Sequence, residues 1–142
     1  MHAQPPAPPA QTPTQTPAPT QAMHAKTKAW IVFAGGTKFG EGRARLLQLV
    51  EELGSLNRAV HEMGMSYRAA WGYLKELEEA AGFALVERDG HGMRLTDAGR
   101  LFLQRFDAYR DRVAAAASAA YDDVFSDTDV ARTGVARTAA AD

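Results

Sequence analysis

None of the 142 residues is a cysteine, which removes disulfides, thiolate zinc sites and thiol nucleophiles from consideration. Charge is missing from the start: residues 1–25 hold no Lys, Arg, Asp or Glu. The same stretch has no branched aliphatic residue and no aromatic, and it contains all seven prolines, the last being Pro19. A segment built of Pro, Gln, Thr and Ala cannot assemble a core, so a disordered leader is expected over 1–25, either passive or serving as an extended arm. Met1-His2-Ala3 is echoed by Met23-His24-Ala25, which makes Met23 an alternative start. No apolar run approaches the ~18 residues of a membrane span, and the charged-then-apolar order of a signal peptide is absent. A cytoplasmic protein without a membrane partner is the expectation.

Catalytic groupings are also lacking. No Ser, His and acid fall into a triad-like order, and Gly35, Gly36, Gly40 and Gly42 lack the strand-turn-helix order and Lys-Ser/Thr of a phosphate loop. Glu51-Glu52 and Glu78-Glu79 read as solvated helix faces. The histidines His2, His24, His61 and His91 have no metal-ligand spacing, so no metal and no cofactor are expected. An enzyme is not indicated.

What is present is one small domain, expected over 26–120, followed by a flexible tail over 121–142. The net charge of −1 is unevenly spread: residues 26–113 carry 14 basic and 12 acidic side chains, residues 114–142 carry 2 and 5. With so mild a surplus, binding of a polyanion must depend on where individual cations lie.

Trp30-Ile31-Val32-Phe33 reads as a short strand, with the Gly-containing stretch to Gly40 as a flexible connection. A helix is expected over Glu41–Leu53, with Leu46, Leu47, Leu49, Val50 and Leu53 facing the core and Arg43, Arg45, Glu51 and Glu52 outside. Ser55 can cap a second helix whose inner side is Leu56, Ala59, Val60 and Met63, and Gly64 supplies a left-handed turn. Ser66 caps a third, in which Ala70, Leu74, Leu77 and Ala81 form one stripe and Tyr67, Arg68, Gly72 and Lys75 point elsewhere. Two short helices joined by a tight glycine turn, the second with a bare polar face, make a helix-turn-helix. Phe83–Arg88, a turn over Asp89-Gly90-His91-Gly92 and Met93–Thr96 then read as a β-hairpin, a wing. Thr96 or Asp97 caps a long final helix with an apolar seam of Leu101, Phe102, Phe106, Tyr109, Val113 and Ala117 interrupted by Arg105. About 24 residues at 1.5 Å rise span roughly 36 Å, more than a domain this small covers alone, so the seam is expected to meet a second subunit. The fold class is mainly α with a small β-wing.

At Gly64-Met65-Ser66-Tyr67-Arg68-Ala69-Ala70-Trp71, Leu85-Val86-Glu87-Arg88 and Arg94-Leu95-Thr96-Asp97-Ala98-Gly99, the chain resembles the DNA-binding domain of molybdate-responsive (ModE-type) transcriptional regulators. The similarity reaches upstream to Gly40-Glu41-Gly42-Arg43 and covers roughly residues 28–112. More distantly it resembles LysR-type regulators, which share the winged helix-turn-helix and a Leu-Thr-x-Ala-Gly run after the wing. The resemblance implies a homodimer that places one recognition helix per subunit in successive major grooves of double-stranded DNA. The sequence departs from the family in a shorter, less glycine-rich wing and in showing no β-rich segment able to enclose an oxyanion. It is therefore expected to act without a ligand-binding domain and without responding to molybdate.

The candidate contacts follow from these placements. Tyr67 and Arg68, in the first turn of the recognition helix, reach base edges, with Ser66 and Gly72 beside them; the plain alternative is a solvated helix start. Lys75 is placed against phosphate. Trp71 either covers the core edge or stacks on the sugar-phosphate backbone. Ser55, Asn57 and Arg58 can donate to a phosphate at a helix N-terminus or simply cap it. Arg88, His91 and Arg94 surround the wing turn, as minor-groove contacts or as a solvated charge cluster. Leu101, Phe102, Phe106, Tyr109 and Val113 are the candidate dimer interface. The competing functional reading is a winged-helix protein-interaction module that uses the Trp71 face or the final helix.

Overall fold

The computed structural model of the chain describes residues 23–125. The expected leader up to residue 22 and tail from 126 lie outside them. Eight elements follow in order: β1 Ile31–Val32, β2 Lys38–Phe39, α1 Glu41–Leu53, α2 Leu56–Met63, α3 Tyr67–Ala81, β3 Val86–Asp89, β4 Gly92–Leu95 and α4 Asp97–Val124. Thr27–Ala116 form one of two compact units of the chain.

The three helices before the wing start and stop where local chemistry directs. Gly54, Gly64 and Gly82 follow α1, α2 and α3 at φ of 69°, 66° and 83°, a left-handed conformation that costs glycine little and other residues 1 kcal/mol or more, on the order of ~1–2. Ser55 and Ser66 accept the backbone N–H of Arg58 and Ala69 at 3.2 and 3.0 Å, satisfying donors that the first helical turn leaves free. α1, α2 and α3 then bury one stripe each: Ala44, Leu46, Leu47, Leu49 and Val50; Leu56, Ala59 and Val60; Ala70, Leu74 and Leu77. Leu53 and Met63 are half-buried against this core.

Several expectations are corrected. The connection after the first strand contains a strand of its own: Lys38-Phe39 pairs antiparallel with Val32 and Ile31, and Gly36 at φ 95° makes the bend between them. The first wing strand begins at Val86 and not at Phe83, because Gly82 ends α3 in a left-handed turn and the N–H groups of Leu85 and Val86 are taken by the Glu78 carboxylate at 2.7 and 3.2 Å. Glu78 is thus no solvated face. Glu51 is exposed as expected and also accepts the Leu95 N–H at 3.1 Å and Arg100 Nε at 2.9 Å, tying α1 to β4 and the start of α4. Arg43, placed outside α1, is also engaged, donating to Lys38 O at 2.9 Å and pairing with Glu76 at 3.1 Å. Tyr121–Val124, expected in the tail, are helical.

The largest correction concerns α4. Phe106, expected in the dimer seam, is 2% exposed within one protomer, its ring edge-on to Phe39 at 4.9 Å. Phe102 packs the same way against Phe39 at 4.8 Å and near Phe33 and Phe83. The N-terminal hairpin supplies the apolar surface that covers them. Leu101 and Tyr109 remain 50% and 45% exposed, and Val113 is half-buried.

Candidate nucleic-acid interface

The turn between α2 and α3 is three residues, Gly64-Met65-Ser66. The N–H groups of Gly64 and Met65 fold back onto carbonyls of α2, Met65 N onto Val60 O at 3.1 Å, so the path into α3 is set by backbone bonds. Ser66 caps the helix, and Tyr67 and Arg68 stand exposed on its first turn. Trp71, one turn on, is half-buried against the core and meets Tyr67 edge-to-face at 6.3 Å. Gly72 has open space where a Cβ would project.

The wing is a two-residue hairpin: Asp89 pairs with Gly92, and Gly90-His91 forms the loop with Gly90 at φ 63°. Its position is set at the corner between α1 and α2. Met93 N donates to Gly54 O at 3.0 Å, and a Cβ on Gly92 would collide with that same carbonyl. Only glycine lets the wing root approach so closely.

This close approach brings distant residues together. Ser55, Leu56, Asn57, Tyr67, Trp71, Arg88, His91, Gly92 and Met93 line one shallow notch of about 70 Å³. Six of the twelve candidates from the sequence share it: Ser55, Asn57, Tyr67, Trp71, Arg88 and His91. Arg58 is on an adjoining groove with Asn57, His61 and Glu62. Arg68, Gly72 and Lys75 are exposed along α3 at helical spacings of four and three, beyond the notch. Lys75 is just past the middle of α3, in a depression with Glu78, Glu79 and Phe83.

Arg94 departs from its expected place. In β4 it is opposite Glu87, and the side chains alternate so that Glu87 and Arg94 share the hairpin face away from Arg88, Met93 and the core. Arg94 Nε meets Glu87 Oε2 at 2.8 Å, so its charge is compensated.

The remaining cations sort into two groups. Among the described residues Arg43, Arg94, Arg100 and Arg110 are in ion pairs; Arg58, Arg68, Lys75 and Arg88 are in none, and neither are Lys26, Lys28, Lys38, Arg45, Arg105 and Arg112, which do not line the notch. The cations on α2, α3 and the inner wing face thus carry charge that no acidic side chain compensates within the described residues. The Leu95 N–H, and after it Arg100, hold the Glu51 carboxyl below its ordinary value, as expected of a carboxylate bonded while ionised. Glu51 and Glu78 are the bracing residues that sequence reasoning missed. Their partners are backbone N–H groups 44 and 7 residues away, which no side-chain pattern announces.

Four helices, a glycine-turned helix pair and a β-hairpin beside the second of them define a winged helix-turn-helix. Residues 42–100 match the family of bacterial regulatory helix-turn-helix proteins, lysR family. The "Molybdenum transport protein ModE" of Azotobacter vinelandii is 37% identical over 78 residues, covering 51% of this chain and 29% of that protein. The "Transcriptional regulator ModE" of Haemophilus influenzae is 33% identical over 70 residues, covering 46% and 28%. A solved CbnR_DBD-DNA complex is 27% identical with a TM-score of 0.44, covering 71% of this chain and 97% of that one. The chain thus spans under a third of the length of the curated relatives it matches. Residues 42–100 are thus similar to the lysR helix-turn-helix family, and about half of the chain is similar to the ModE proteins.

Proposed function

We propose that this domain binds double-stranded DNA in a sequence-specific manner as the operator-reading part of a transcriptional regulator, acts as a homodimer and catalyses no reaction. The observation that carries the reading is the convergence of the α2 N-terminus, the first turn of α3 and the inner wing face on one notch, surrounded by exposed cations without internal partners. The names of the relatives, one of them a transcriptional regulator, agree with it.

In this arrangement α3 enters the major groove with its N-terminal turn leading. Arg68 reads a base, its guanidinium fork matching the two acceptors of guanine, and Tyr67 touches a thymine methyl or a phosphate. Ser66 and Gly72 let the backbone approach. Ser55, Asn57 and Arg58 take phosphate at the start of α2, Lys75 takes it two turns along α3 from Arg68, and Arg88 with His91 take it from the wing. Trp71 supports Tyr67 from the core side. Leu101 and Tyr109, eight residues apart on one face of α4 and about half exposed, are the surface a second copy would cover, with Val113 at its margin.

Salt titration tests the reading. Three phosphate contacts per protomer, from Arg58, Lys75 and Arg88, give a dimer a slope of log affinity against log salt of roughly −5. Arg68→Ala should cost about 1–3 kcal/mol on the selected site and much less on random duplex. A slope near zero, with no selectable site, would leave a protein-interaction module as the better account.

A further inference from the structure

A second cleft, of about 380 Å³, shares no lining residue with the notch and is walled by Trp30, Lys38, Leu46, Met63, Met65 and Tyr73. Its construction follows from the N-terminal hairpin. Pairing of Ile31 with Phe39 turns those two side chains toward the core and sets Trp30, Val32, Lys38 and Gly40 on the other face. Gly40 lets the Trp30 indole lie across its backbone, since a Cβ there would fall 2.5 Å from the indole Cδ1 and the ring would have to shift. The indole is held as a wall and is still 53% exposed, and the Tyr73 ring opposite is 40% exposed. Solvent-exposed aromatic faces of this size on a small domain mark a place where something apolar is received. The thioethers of Met63 and Met65 complete the lining, soft groups that pack well on an aromatic ring.

The charges in the cleft are nearly all spoken for. Arg43 pairs with Glu76 at 3.1 Å and stacks over the Tyr73 ring at 4.8 Å, and Glu41 meets Arg110 at 3.4 Å. Lys38, exposed on the hairpin face, is in no ion pair among the described residues. The exposed Trp30 indole, two thioethers, the Tyr73 ring capped by the Arg43 guanidinium and one cation outside any ion pair complement a flat apolar ring system carrying one negative charge. We infer that this cleft is a small-molecule site for a planar aromatic monocarboxylate. Met63 and Met65 flank Gly64, so an occupant touches both sides of the turn that aims α3.

The test uses the full chain, with 2-naphthoate as probe and 2-naphthylmethanol as its neutral counterpart. The two tryptophans give two indole N–H signals in a nitrogen-proton NMR spectrum, and Trp71 lines the notch, not this cleft. The expected result is saturable movement of the Trp30 signal and of the Met63 and Met65 methyls, with Trp71 still. For a probe this small the dissociation constant should be on the order of 1 mM. Lys38→Ala should weaken 2-naphthoate about fivefold and leave the alcohol unchanged. Gly40→Ala, which displaces the indole, should weaken both. Absence of saturation, equal movement of Trp71, or equal affinity for acid and alcohol would overturn the assignment. So would a Trp30 signal that follows protein concentration and ignores the probe, the sign of a second copy in the cleft.

Discussion

Phe106→Ala separates the core from the surface of α4. The side chain is 2% exposed and meets Phe39 edge-to-face at 4.9 Å, and Phe39 is itself fully buried and also meets Phe102, one turn back on α4, at 4.8 Å. Truncation removes the transfer energy of a whole ring, one aromatic pair worth about 0.5–1.5 kcal/mol and the packing around the space left behind, for a total of about 3–5 kcal/mol. In a domain of this size each kcal/mol moves the melting temperature by roughly 4–8 °C, so the midpoint should fall by roughly 12–40 °C. Thermal melts followed by circular dichroism at two protein concentrations, tenfold apart, measure it. Because the ring packs inside its own protomer, the drop should be the same size at both. Leu101→Ala and Tyr109→Ala, which remove half-exposed side chains, should each shift the midpoint by a small fraction of that, and Leu101→Asp should weaken self-association in sedimentation while the chain stays folded. A loss under about 1 kcal/mol for Phe106→Ala, the size of an ordinary surface change, would refute the packing account.

Three further outcomes follow from the wing and its braces. Arg88→Ala should reduce the salt slope of DNA binding by about 1 per protomer, whereas Arg94→Ala, whose partner Glu87 is at 2.8 Å on the far face, should leave it nearly unchanged; equal effects in filter-binding or anisotropy titrations would contradict the assigned faces. Glu51 has a folded-state pKa below its unfolded value, so its contribution is present above the ordinary glutamate range and is lost as pH falls through the folded pKa. Glu51→Gln should therefore lower the melting temperature at neutral pH and flatten its fall on acidification, and parallel curves for the two proteins would show that the Leu95 and Arg100 bonds contribute nothing. Gly99→Ala should destabilise by about 1–3 kcal/mol or more in urea titration, since the added Cβ meets the buried Leu85 carbonyl and neither backbone can yield; a neutral effect would mean that α4 shifts freely against β3.

Much of this was legible in the chain because it is local. α1 occurs over Glu41–Leu53 as its leucine spacing demands, and Ser55, Gly64 and Ser66 bound α2 and open α3 because caps and left-handed turns are decided by one residue and its nearest neighbours. The wing turn at Gly90-His91 is of the same kind, and so is the exposure of Tyr67, Arg68 and Lys75, which follows from helical phase alone. Tertiary structure decided the rest. An apolar position on α4 reads the same whether it faces a second subunit or its own core, and it is the small hairpin of Ile31–Val32 with Lys38–Phe39, too short to show a strand period, that brings Phe39 onto Phe102 and Phe106 and leaves Leu101 and Tyr109 outside. Glu51 and Glu78 each look like a member of an ordinary acidic pair on a helix until backbone N–H groups, 44 residues on for Glu51 and 7 for Glu78, arrive beside them. Arg88 and Arg94 are chemically equal in sequence, and strand register divides them, one facing the notch and the other neutralised by Glu87. Caps, turns and helical phase are short-range properties, whereas burial, ion pairing and the joining of Ser55, Tyr67 and Arg88 in one notch depend on which surfaces the folded chain places in contact.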